Sequence, residues 1–170
     1  NSIFSVLLIL KVYICNMLYY RRKILLAILE TFGGQLTAKS LQKYLFLFTR
    51  RQENKAFDFV PYKYGCFSFQ ANQDIITLGK YGYLDISDTK LGRYIKLKDN
   101  KNYSAELDLF DRHNLASVKA EFGEMSQNEL IKYTYIKYPF YATKSAIASQ
   151  LLTKDEQAKV SAQVRTFTEP

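Results

Sequence analysis

The sequence predicts an α+β domain, mostly α, in which three helices and a β-hairpin form a first unit and further helices follow. Three observations predict it. Apolar residues recur at helical spacing in segments that begin at Ser or Thr and stop at Gly. Two short alternating runs lie either side of a polar turn. The last third carries repeated helix-start signals and a single Pro-bearing break at Pro139.

Residues 1–16 form an apolar run, Ile3 to Ile14, interrupted by Lys11. It is too short for a membrane span, which takes about 20 apolar residues, and it lacks the flanks of a secretory signal. Two readings stay open for it: an extension upstream of a natural start at Met17, or a packed strand or helix. In the next segment Ile24, Leu25, Ile28, Leu29 and Phe32 repeat at helical spacing, and Gly33-Gly34 ends that helix. Thr37 is placed to cap a second helix with Leu41, Tyr44, Leu45 and Phe48 on one face and Lys39, Lys43, Arg50 and Arg51 mostly elsewhere. Phe57 to Phe67 alternates and contains Pro61 and Gly65, so it reads as an extended connection. Ser68 caps a third helix through Ile75, Ile76 and Leu78, closing at Gly82. Tyr83 to Ile86 and Arg93 to Leu97 then read as a hairpin. Three helices followed by a hairpin is the element order of a winged helix, here over residues 21–98.

A polar loop, Asp99 to Ser104, leads to C-terminal helices within 105–165: one from Ala105 to Phe122, one capped by Ser126 with Glu129, one opened by Thr143 and one capped by Thr153 with Glu156. No repeat, low-complexity tract or linker divides residues 17–170, which read as one domain.

The 170 residues carry a formal net charge of +8, 14 Tyr, 12 Phe, no Trp, one His and two Cys. Cys15 and Cys66 make no C-x-x-C pair, which argues against a disulfide framework or zinc ribbon and points to a reducing, cytoplasmic setting. Phosphate-loop, dinucleotide, nucleophile-elbow and H-E-x-x-H motifs are absent, and His113 stands alone, so sites built on several histidines are excluded. The remaining catalytic readings are a nucleophilic Cys66 activated by His113, or a carboxylate pair such as Asp85 with Asp88 or Asp108 with Asp111. Cysteine is commonly a buried small residue and Asp is common in turns. The expectation is therefore no catalytic residue, no cofactor, no metal and no membrane partner.

Two binding readings remain. Arg21, Arg22, Lys39, Lys43, Arg50 and Arg51 concentrate basic charge in the first third, as phosphate binding would require. The third helix, where a winged helix reads DNA, offers mainly Gln70, Asn72, Gln73 and Lys80 and carries Asp74, which a phosphate would repel. The competing surface is aromatic. Tyr62, Tyr64, Phe67 and Phe69 crowd the Pro- and Gly-bearing connection, and Tyr133, Tyr135, Tyr138, Phe140 and Tyr141 cluster around Pro139. Rings of this kind serve as rigid anchors in protein interfaces, although burial under neighbouring helices is their commoner fate. The candidate partner contacts are Tyr62, Tyr64, Phe67, Tyr133, Tyr135, Tyr138, Phe140 and Tyr141.

LQKYLFLF from Leu41, FDFVPYKYGCFS from Phe57 and the helix ending in KYGYL from Lys80 resemble the SocA-like antitoxin family, also called Panacea, whose members are often described as phage-associated proteins. The resemblance covers roughly residues 22–140. It implies an antitoxin-like protein-binding module, encoded beside varied toxins or in prophage and phage-defence settings of bacteria. Two departures stand out. Cys66 occupies the place of a frequent proline after the Tyr-Gly pair, and Thr134 is followed by Tyr135 where the family often has a Thr-His pair.

Overall fold

The computed structural model describes residues 2–168, with side chains over 3–13 and 19–166. Cys15, Met17 and Pro170 thus lie outside the described side chains. The elements in chain order are α1 (Ser2–Thr31), β1 (Gln35–Thr37), α2 (Ala38–Arg50), β2 (Val60–Tyr62), β3 (Gly65–Phe67), α3 (Phe69–Lys80), β4 (Leu84–Thr89), β5 (Gly92–Leu97), α4 (Leu109–Phe122), α5 (Gln127–Lys137), α6 (Ala148–Leu151) and α7 (Lys154–Thr168), with 3-10 turns at Ser104–Glu106 and Pro139–Ala142.

The first unit keeps the predicted order of three helices and a closing hairpin and adds three strands to it, β1 and the β2–β3 pair. Gln35, Leu36 and Thr37 pair antiparallel with Lys96, Ile95 and Tyr94, giving a three-stranded sheet in the order β1-β5-β4. Positive φ at Gly33 and Gly34 ends α1 and turns the chain into β1. Thr37 then accepts a hydrogen bond from Ser40 N–H and starts α2, and Ser68 does the same for α3 through Ala71 N–H. Ile24, Ile28, Leu41, Leu45, Ala71, Leu78, Leu84 and Ile95 meet in one core between these helices and the sheet.

Three departures from the sequence reading have physical causes. Residues 57–67 are not a simple connection but close on themselves as the β2–β3 hairpin, with Val60, Pro61 and Tyr62 opposite Phe67, Cys66 and Gly65. The apolar run continues into α1 as one helix, and its side chains from Ile3 to Tyr13 are all exposed, which overturns the packed alternative for this segment. Most consequentially, α2 is not an amphipathic surface helix. It is enclosed by α1, α4, α5, β3 and β5, and every residue from Ser40 to Thr49 is buried.

The C-terminal helices provide that enclosure. Leu115, Val118 and Phe122 of α4 and Leu130 of α5 join the main core, and Asn114 donates to the Phe48 carbonyl (3.0 Å) near the end of α2. Both predicted capping boxes form: Ser126 with Glu129, and Thr153 with Glu156. The first of these helices starts later than its sequence suggests, because Asp108 caps α4 and residues 104–106 form a separate turn. The helix expected from Thr143 shortens to α6. Among the described residues no helix is long and apolar enough to cross a membrane.

Candidate binding site

The β2–β3 hairpin gathers the first aromatic cluster. Tyr62, Phe67 and Phe69 touch one another with ring centroids 5.0, 5.4 and 4.9 Å apart, in tilted and edge-to-face geometry. Phe69 is 58% exposed and Tyr62 46%, while Phe67 is half-buried between them. Tyr64, at the turn, is half-buried with the Lys39 ammonium 4.0 Å from its ring centre. The hairpin is held from below: Gly65 has φ +92°, and a Cβ there would fall 2.5 Å from Cε1 of Tyr135. Glycine is required both by the left-handed backbone and by the ring beneath it.

That position corrects the second cluster. Tyr135 is fully buried, with its hydroxyl 2.6 Å from Ser145 Oγ, so it supports the hairpin and offers nothing to a partner. Tyr138 and Tyr141 stand edge-on to the buried Phe46 at 5.0 and 4.7 Å, and Tyr133 lies against Phe122. All three are half-buried packing residues. Phe140 alone of this group is strongly exposed. The α5 spacing explains the outcome, since Leu130, Ile131, Thr134 and Tyr135 form the one buried stripe of that helix.

The basic cluster disperses in a similar way. Arg21 and Arg22 both pair with Asp74, at 3.0 and 3.2 Å, and this carboxylate is buried between α1 and α3 instead of facing outward to repel a phosphate. Arg51 pairs with Glu121 at 2.7 Å, and Arg50 lies 5.2 Å from the Tyr138 ring centre. Lys43 is buried inside the enclosed α2. Of the six, Lys39 and Lys43 line one open feature together with other cations.

That feature is a cleft of about 480 Å³ between the hairpin, the first turns of α2 and α3, and the β4–β5 turn. Its cationic walls are Lys39, Lys43, Lys63, Lys90 and Arg93, and among the described residues no Asp or Glu lines it. Leu91, 82% exposed, lies in the β4–β5 turn and also lines the cleft. Phe69, Lys63, Lys90, Leu91 and Arg93 were not among the predicted site residues. Phe69 was legible as part of the aromatic run, whereas the wing residues are brought to the cleft only by the β4–β5 pairing.

The catalytic readings lose their geometry. The Cys66 thiol is buried and burial pushes its pKa up, with Lys43 opposing that shift; His113 projects from the exposed side of α4. Asp88 is paired with Arg93, whose guanidinium holds its carboxyl below the usual range, and Asp85 is paired with Lys98. Asp108 caps α4, and Asp111 takes hydrogen bonds from Gln52 Nε2 (3.0 and 2.9 Å) with the Tyr20 hydroxyl 2.8 Å away. Both carboxylates tie α4 to α1 through Tyr20, and Asp111 adds the segment that follows α2 through Gln52. Among the described residues no group of three or more His, Cys, Asp or Glu is placed to hold a metal.

No protein-family model matches the chain, and no curated protein matches it significantly.

Proposed function

We propose that this chain is a non-catalytic protein-binding module of antitoxin-like type, which docks onto a partner protein through the exposed ridge Tyr62–Phe67–Phe69. The observation that carries the reading is the ridge itself. Three rings in mutual contact are held at the surface by a hairpin that is buttressed from below and by the first turn of α3, and rigid exposed rings bind at small entropic cost. The resemblance of LQKYLFLF and FDFVPYKYGCFS to SocA-like antitoxins supplies the context, a toxin, prophage or phage-defence partner in bacteria.

A DNA-binding regulator is the competing reading, and the winged-helix element order favours it. Its weakness lies in α3, whose exposed side chains are Phe69, Gln73 and Lys80, and in the internal engagement of Arg21, Arg22 and Lys43.

Affinity capture from host lysate with and without nuclease separates the two. The proposal expects a stoichiometric protein that survives nuclease and is lost with the Tyr62→Ala/Phe69→Ala variant at unchanged thermal stability. Nucleic acid captured without such a protein overturns it in favour of the regulator.

A further inference from the structure

Lys43 is a buried lysine with no carboxylate partner among the described residues. Its ammonium donates to the Cys66 carbonyl at 3.0 Å. An ammonium has three donors, and its burial costs several kcal/mol unless charge and hydrogen bonds compensate. Burial lowers the Lys43 pKa; the Cys66 side chain opposes that shift and nearby Lys39 adds to it. Lys43 is not sealed among apolar groups, however. It forms part of the wall of the cleft that also collects Lys39, Lys63, Lys90 and Arg93 and, among the described residues, contains no acidic residue. Of these five, among the described residues only Arg93 has a carboxylate partner, Asp88, which lies outside the cleft wall.

We propose that this cleft binds a small phosphorylated molecule, its phosphate oxygens meeting Lys39, Lys43 and Lys63 and its body lying against Phe67 and Leu91. A phosphate monoester carries about two negative charges near neutral pH, where a carboxylate carries one. Lys39, Lys63 and Lys90 line the cleft with no carboxylate partner among the described residues, and that surplus of positive charge favours the former. The volume is that of a small-ligand site, and the wall combines apolar and aromatic surface with a few convergent polar groups. The ligand site shares Tyr62 and Phe67 with the partner ridge but recognises charge, and its test needs no partner.

The test is calorimetric titration of the purified full chain with pyrophosphate and with ADP, at ionic strength matched with sodium chloride. Saturable binding is expected for at least one probe. It should weaken by about tenfold or more in Lys39→Ala/Lys63→Ala and in Lys43→Met, the loss of at least one charge-assisted contact. Lys55→Ala, an exposed lysine away from the cleft, should bind as the parent does. Tighter binding of ADP than of pyrophosphate assigns the apolar wall to the nucleoside, and equal binding assigns recognition to phosphate alone. Absence of saturable binding to both probes overturns the proposal, as does equal affinity in parent and Lys39→Ala/Lys63→Ala. The double variant alters side chains that reach the surface, so it keeps the test decisive should Lys43→Met fail to fold.

Discussion

Gly65 and Tyr135 are the pair of residues on which the hairpin rests. A methyl group at position 65 meets Cε1 of Tyr135 at 2.5 Å on a backbone already at φ +92°. Gly65→Ala should therefore destabilise the fold by about 1–3 kcal/mol, read as a lower midpoint in urea unfolding. Burial also pushes the Tyr135 phenol up to about 12. The folded state keeps a proton that the unfolded chain releases near pH 10, so this contribution is complete below about pH 10 and is lost as pH rises towards 12. In Tyr135→Phe, unfolding free energy should fall less steeply between pH 10 and 12 than in the parent. An identical slope would contradict the assignment. Tyr135 also shows where residue-level reading of the sequence stops. Its place in an aromatic cluster suggested a contact, yet Ile131 and Tyr135 sit four apart on the same inward stripe, and that spacing outweighs the local density of rings.

At the scale of elements, helix starts were the most legible feature, because a cap is a local event. Thr37, Ser68, Ser126 and Thr153 each bond a backbone N–H within the next three residues, as their spacing indicates. Strands were less legible, since β1 exists only through pairing with β5, some sixty residues later. Two predictions belong here. Asp74 joins α1 to α3 through Arg21 and Arg22, and Asp74→Ala leaves both cations unpaired; the expected loss is about 3 kcal/mol in equilibrium unfolding. By contrast, the side chains of Ile3 to Tyr13 are exposed, and the α1 residues of the core begin at Ile24. Removing residues 1–13 should change the unfolding free energy by less than about 1 kcal/mol, and a larger loss would mean that this helical extension supports the core.

For the whole molecule, the winged-helix order was readable because it follows from local punctuation, and the binding surface was only partly readable because it follows from enclosure. Lys43 is the clearest instance. On an isolated α2 it belongs to a polar face, and only the packing of α4, α5 and the β2–β3 hairpin around that helix turns it inward. The same packing disperses the basic cluster of the first third and leaves the Tyr62–Phe67–Phe69 ridge beside a cleft whose cations come partly from the wing. The most direct test of the account places a photo-crosslinking residue at position 62 and, separately, at exposed Ala116 on α4, in the native host. The account predicts a discrete protein adduct from position 62, unaffected by nuclease and absent from position 116. The same adduct from both positions, or one from position 62 that consists of nucleic acid, would contradict it.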